Sequence, residues 1–361
     1  FTPLLTCDAA ESLLMSRFDW QLVPESGYVG WQGKLGHACR SVENATFRPV
    51  DLSVDPKTVW AAPHAVQALL DLADRYFDPS RADRTVVFWG TERPLSKACG
   101  AGERERNITV AHLRRYFSRI FFQTKDIDVE HVRVAPMGLA FAYFVHVFNA
   151  WNDTAARTDL GFVQRLAGFE KAVHCSLSVK TKGVLASWGR YAKYLESPDT
   201  IYDATEVYGL DGLYPPSSSS VQIMRIAYAS RAELQSYVSS PVASEALVEH
   251  RRLGAMKWWE ELPKYRFLLS PIGSAIQTAK TIEALLVLTV PIIQRRRFSV
   301  HDELRALGFP LVVVGTWSEV TRNSTQEWWR RLSPRLESFR RNCLTVDGYW
   351  RIFTGQATRC A

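Results

Sequence analysis

The chain has 361 residues, with 44 Lys and Arg against 37 Asp and Glu for a net charge of +7, 47% hydrophobic residues and 22% charged ones. That composition excludes a disordered, collagenous or coiled-coil protein, and at roughly 100–200 residues per domain the length implies two domains, each able to bury a core. No stretch holds the roughly 18 uninterrupted apolar residues that a membrane span needs, so the sequence reads as a soluble chain whose only membrane attachment would be an anchor upstream of Phe1.

Residues 1–60 read as an irregular, turn-rich entry segment wrapped on the first domain. From Pro63 onward the pattern is regular. Apolar spacing predicts a helix over 65–77, a β-branched and aromatic strand over 85–89, a helix over 110–117, and strands over 120–123 and 132–135 ahead of Pro136-Met137-Gly138. A helical, aromatic stretch covers 141–169, then a strand 183–186, a Pro/Ser-rich break at 215–220 and a helix-like 244–260. Strand 266–269, helix 274–286, strand 287–293 and strand 311–314 complete the series.

Alternating helices and short buried strands signal parallel sheets. The bottom-up architecture is therefore two consecutive α/β domains facing across a cleft, over 1–170 and 171–361. No repeat of 20–50 residues appears, which excludes solenoids and propellers. The second domain ends in a basic helix: residues 321–361 hold eight Arg against three acidic residues. Arg330, Arg331, Arg340 and Arg341 beside Trp328 and Trp329 could be drawn into a nucleic-acid surface, but a solvated face of an amphipathic helix explains them better, and no nucleic-acid partner is expected.

Four of the six Asn open an N-x-S/T sequon, at Asn44, Asn107, Asn152 and Asn323, where chance would give about one. The six cysteines, Cys7, Cys39, Cys99, Cys175, Cys343 and Cys360, show no C-x-x-C spacing, which argues against zinc and thioredoxin-like chemistry. Glycan acceptors and an even cysteine count agree on a secretory lumen, although buried free thiols and accidental sequons would look the same. The pairing stays open; Cys7 with Cys39 and Cys343 with Cys360 close the short loops.

The richest chemistry lies over 264–293, read as strand, tight loop, helix, strand. Ser270-Pro271-Ile272-Gly273 turns the chain off the strand, and Ser274 is placed to cap the following helix. Free N–H groups at such a helix start favour a phosphate. Gln277, Lys280, Thr281 and Ala284 share one helical stripe, with Lys280 and Glu283 as i,i+3 neighbours. A cation two turns in could meet a diphosphate, and a carboxylate beyond it could accept two ribose hydroxyls. A plain helix–sheet packing element would show the same pattern.

These residues resemble the donor domain of exostosin-type GT-B glycosyltransferases, which carry a strand, S/C-P-x-G, a variable stretch with Asp, then an Arg, two residues and Glu-Ala-Leu, and x-P-I-V. Ser270-Pro271, Gly273, Glu283-Ala284-Leu285 and Pro291-Ile292-Ile293 match in order. Val134-Ala135-Pro136-Met137-Gly138, Leu185-Ala186-Ser187-Trp188 and Trp317-Ser318-Glu319-Val320-Thr321 are similar to flanking family segments. The resemblance implies two Rossmann-like domains, the second binding a nucleotide sugar and the first an acceptor glycan, with no obligatory cofactor or catalytic metal. It assigns Glu283 to the nucleotide ribose, and Lys280 with the Ser270 loop to the diphosphate. Two positions depart from it: Gln277 stands at the usual Asp, and Lys280 replaces Arg, keeping the charge but losing the bidentate fork.

Ser187 and Arg190, past the 183–186 strand, are further donor-side candidates, and Glu319 could line the same pocket, whereas Trp317 fits a core position equally well. The triplet Arg295-Arg296-Arg297 suits a solvated loop better than a phosphate clamp. Inverting transfer needs a base, and Asp126, His131 and His146 are the candidates, each as readily structural. The expectation is a glycosyltransferase of the secretory pathway, in the Golgi as a type II membrane protein, moving sugar from a UDP-linked donor to a glycan or glycoprotein. The alternative is a GT-B-fold glycan-binding or scaffold protein without turnover.

Overall fold

The computed structural model describes residues 14–24, 47–49, 55–81, 83–89, 94–100, 102–138, 167–188, 219–273 and 276–360. Its strands are short runs of β-branched and aromatic residues buried on both faces, as strands of a helix-covered parallel sheet must be. β1 (Trp20–Pro24), β2 (Phe47–Pro49), β3 (Thr58–Ala61), β4 (Arg84–Phe88), β5 (Phe117–Phe122) and β6 (Val132–Val134) form a six-stranded sheet of order β2-β1-β3-β4-β5-β6. Every neighbouring pair in it is parallel except β1 with β2.

The first three strands correct the expectation of an irregular entry segment. They are too short for alternation to be visible in sequence, and side-chain bonds hold them in place. The Asp19 carboxylate accepts hydrogen bonds from Lys57 N (2.8 Å), Thr58 N (2.9 Å) and the Thr58 hydroxyl (3.0 Å), joining the chain before β1 to the start of β3. Arg84, wholly buried, pairs with Asp55 at 2.5 Å and donates to the Pro56 carbonyl.

Helix α1 (Val66–Tyr76) buries Val66, Leu69, Leu70 and Ala73 on one stripe. After α2 (Leu95–Ala98), α3 (Glu103–Arg114) starts seven residues ahead of the expected 110 and ends before 117, which belongs to β5. Only Val110 and Leu113 of α3 are buried, so its charged first half carries no apolar period, while Glu103 and Glu105 suit its amino end.

The second sheet is parallel throughout: β7 (Lys182–Ala186), β8 (Val248–His250), β9 (Tyr265–Leu269), β10 (Val290–Gln294) and β11 (Val312–Val314), in the order β11-β10-β9-β7-β8. Between β7 and β8 run α4 (Ser219–Val238) and α5 (Pro241–Glu245). The expected helix over 244–260 is instead the end of α5, then β8, then α6 (Ala255–Glu261); Leu247 at φ 57° breaks the first and Gly254 begins the last. α7 (Ala279–Leu286) starts five residues later than expected, and Leu288 at φ 60° turns the chain into β10 at residue 290 rather than 287.

α8 (Val300–Ala306) leads to β11, and α9 (Arg322–Cys343) and α10 (Val346–Phe353) close the chain. Thr321 and Thr345 cap the last two, accepting from the N–H of Ser324 and Gly348. α9 is only partly the solvated basic helix expected, because Arg340 donates to the carbonyls of Val173 (2.7 Å), Cys175 (3.0 Å) and Leu286 (3.3 Å). Trp328 and Trp329 pack edge-on against Phe267 of β9.

α10 crosses back to the first sheet. Tyr349 stacks on Trp89 with ring centroids 6.0 Å apart, Phe353 meets Phe121 at 5.3 Å, and Asp347 pairs with Arg17 at 2.6 Å. Core side chains of both sheets and of α10 form one continuous apolar cluster. Among the described residues no helix is long and apolar enough to cross a membrane.

Cys343 and Cys360 form a disulfide; Cys99 and Cys175 are free thiols, and Cys7 and Cys39 lie outside the described residues. The bridge lays the tail over Gly308, whose φ of 99° and absent Cβ are both needed: a Cβ there would sit 2.0 Å from the Cys360 carbonyl oxygen. With a sequence separation of 17 between the half-cystines, Cys360→Ser should lower unfolding free energy by about 3 kcal/mol. Urea denaturation of the purified variant measures this, and an unchanged midpoint would show that the bridge contributes nothing.

Candidate functional site

From β7 the chain moves outward to β8, then returns across β7 to β9, so the strand order reverses between β7 and β9. Open α/β sheets bind ligands at the carboxyl ends of the strands flanking such a reversal. Ser187 follows β7 and Ser270 follows β9, and both are buried there. Pro271, Ile272 and Gly273 continue as a buried loop. The Ser270 hydroxyl lies 3.2 Å from both the Thr278 and Thr281 hydroxyls, which fastens the loop to the start of α7.

α7 is buried almost all round, and it carries Lys280, Thr281 and Glu283 into this reversal. Lys280 Nζ donates to the Ser187 carbonyl at 3.1 Å, bridging the two strand ends, and lies 4.5 Å from the centroid of the Trp258 ring. Burial pulls its pKa down to about 8, against the attraction of the Glu283 carboxylate and with the repulsion of Arg231. Glu283 Oε2 accepts from Trp258 Nε1 at 2.8 Å, and Oε1 has no partner among the described residues. Burial pushes the Glu283 pKa up, opposed by Lys280 and by the indole N–H.

Two members of this cluster are invisible to motif reasoning. Arg231, buried on α4, donates from Nε to the Ile272 carbonyl at 3.3 Å, which brings a second cation to the Ser270–Gly273 loop. Its helix follows the Ser-rich break and shows no motif. Trp258 sits in a Trp-Trp pair that reads as core. Its only sequence signal is the aromatic content of the helix preceding β9.

Other expected site residues have structural duties. Gln277 Nε2 donates to the carbonyls of Gln123 (2.7 Å) and Ala135 (2.8 Å), and its Oε1 accepts from Met137 N at 2.8 Å. The amide is thus committed to the carboxyl ends of β5 and β6 and holds the two sheets together. Glu303 of α8 adds to that junction, accepting from Lys125 Nζ at 2.5 Å and Val134 N at 3.1 Å. Glu319 accepts from the N–H of Gly315 and Thr316, both at 2.8 Å, in the capping box of the turn after β11. Trp317 is core, its Nε1 donating to the Ser230 carbonyl.

The base candidates fare similarly. Asp126 accepts from Ser96 N (2.9 Å) and the Ser96 hydroxyl (2.5 Å), capping α2. His131 lies at the amino end of β6, away from the strand ends that meet Gln277, and pairs with Glu130 at 3.0 Å. Arg295 forms a fork on Asp302, Arg296 pairs with Glu233, and Arg297 lies over Phe298, so the triplet is not a phosphate clamp. Ser274 cannot be the cap of α7, whose N-cap is Thr278. Ser274 itself, Arg190, His146, Asn44 and Asn152 lie outside the described residues. Asn107 on α3 and Asn323 in the first turn of α9 are exposed. Among the described residues no three His, Cys, Asp or Glu side chains gather as a metal site requires.

No family model and no curated protein matches the chain. Among solved structures, Anabaena HepE in complex with UDP and glucose is similar at 11% identity and a TM-score of 0.29, over 84% of this chain and 75% of that one. The same protein in complex with UDP-glucose gives 11% identity and a TM-score of 0.30 over the same shares. Similarity at this level leaves the assignment of the site to the residues themselves.

Gln277→Leu keeps the volume but strands three main-chain groups, and should cost about 2–4 kcal/mol; urea denaturation measures it, with an increase in radius of gyration by small-angle scattering if the sheets separate. Lys280 attracts an anion only while protonated. Binding of inorganic pyrophosphate should therefore weaken as pH rises through about 8, by up to about tenfold per unit, in a calorimetric titration series.

Proposed function

We propose that the chain is a glycosyltransferase that takes sugar from a nucleotide donor, UDP-linked, to a glycan or glycoprotein acceptor, on a two-domain scaffold of the exostosin-like GT-B type. The observation that carries this reading is the convergence of Lys280, Glu283 and Arg231 at the β7/β9 reversal. A nucleoside diphosphate offers complementary chemistry: phosphoryl oxygens for the cations and a vicinal diol for Glu283. The order of residues also agrees with the sequence resemblance, in which the same glutamate meets the ribose.

In this reading Lys280 and Arg231 stabilise the negative charge that develops on the leaving diphosphate, the largest electrostatic demand of glycosyl transfer. They supply in side chains the charge that a metal would otherwise bring, so the reading is metal-independent. Arg231 is buried and Lys280 half-buried, so their field is screened less than on an open surface. The acceptor would approach from the first sheet, whose β5 and β6 carboxyl ends already meet Gln277. The Cys343–Cys360 bridge and the exposed sequons at Asn107 and Asn323 favour a secretory lumen, which we take to be the Golgi, with any membrane attachment through an N-terminal anchor.

A second reading, a glycan-binding protein without turnover, is favoured by one observation: Gln277 occupies the family's usual Asp position and is committed to the domain junction. Turnover separates the two. Calorimetry against UDP, GDP and CMP should show UDP binding that Glu283→Gln weakens by about tenfold or more, the cost of replacing a charged hydrogen-bond acceptor. Affinity unchanged in the variant would place the nucleotide elsewhere. Release of UDP from a UDP-sugar in the presence of acceptor glycans would establish transfer over binding alone.

A further inference from the structure

Trp258 belongs to no motif, yet it touches both central side chains of the site. It lies on α6, packed among Leu185, Leu268, Ala284 and Val287 and only 6% exposed. Its indole performs two polar tasks at once. The ring face lies 4.5 Å from the Lys280 ammonium, and Nε1–H donates to Glu283 Oε2 at 2.8 Å. Tryptophan is the side chain that can do both, with the strongest cation-attracting face and a donor on its rim.

We propose that Trp258 is the positioning residue of the donor site, holding Glu283 toward the ribose hydroxyls and Lys280 toward the diphosphate, and thereby setting a preference for ribonucleotides over deoxyribonucleotides. This rests on the donor-site reading above. A carboxylate offers about four lone-pair directions. The indole takes one on Oε2, which fixes the plane of the group and leaves Oε1 for the ligand. Without that bond the carboxylate of Glu283 could turn toward Lys280, forming an internal ion pair that would compete with both ribose and phosphate. The charged groups acting on this pair are few: Lys280 and Glu283 on α7, and Arg231 from α4.

The test uses the full chain and three probes, UDP, 2′-deoxy-UDP and inorganic pyrophosphate, titrated calorimetrically. The wild type should prefer UDP over the deoxy form by about tenfold or more. Trp258→Phe keeps an aromatic face and removes the N–H, so the preference should fall toward one while pyrophosphate affinity holds. Trp258→Leu should also weaken pyrophosphate by severalfold. If either variant melts far below the wild type, 3-benzothienylalanine at position 258 replaces the N–H by sulfur with the shape kept. An unchanged UDP preference in a folded variant lacking the N–H overturns the proposal while leaving the donor site standing. No UDP binding by the wild type overturns both.

Discussion

A neutral amide lies at the heart of the junction between the two sheets. Gln277 gives both N–H donors and its carbonyl oxygen to main-chain groups at the ends of β5 and β6, and it sits three residues ahead of Lys280 on the same segment. The junction and the candidate site therefore share a short segment of chain, with Gln277 serving one and Lys280 and Glu283 the other. A buried amide with all three bonds made is stable where an ionised side chain would need a counter-charge. This explains in physical terms why Gln, rather than a charged side chain, suits this position.

The same segment gathers charge that the fold must tolerate. Glu283 is buried and Lys280 half-buried, and a carboxylate in such surroundings loses several kcal/mol of hydration. Their mutual attraction, the Trp258 indole and the Ser187 carbonyl offset part of that loss. The residual cost is concentrated at the strand reversal, where a ligand carrying opposite charge and hydroxyl donors would relieve it. Arg84 is neutralised locally by Asp55, whereas the buried Lys180 ammonium donates to the Val287 carbonyl and the Thr289 hydroxyl, and burial pulls its pKa down to about 7.

Much of this was legible in sequence, and the failures share a cause. The long buried runs, such as Val86-Val87-Phe88 and Ile292-Ile293, declare strands because burial on both faces leaves no polar interruption. The strands of the entry segment do not, since β1 to β3 depend on Asp19 and on neighbours distant in sequence. The 270–283 loop and helix could be singled out as a candidate site, and the structure brings its Lys280 and Glu283 to the β7/β9 reversal. Which of its side chains face a ligand could not: Gln277, expected on the same helical stripe as Lys280, precedes α7 and serves the opposite sheet. Arg231 and Trp258 arrive from helices separated from α7 by tens of residues, and no local spacing encodes their approach.

The return of α10 to the first sheet gives the molecule a mechanical character. The chain passes between the two sheets twice, once after β6 and once between α9 and α10, and the disulfide at Cys343 anchors the second pass on the side of the second sheet. A second crossing adds contacts between the sheets that a single connection would not supply. The second crossing is pinned at both ends, by the Cys343–Cys360 bridge on one side and by Tyr349 on Trp89 and Phe353 on Phe121 on the other, so the last helix works as a clasp across the two sheets.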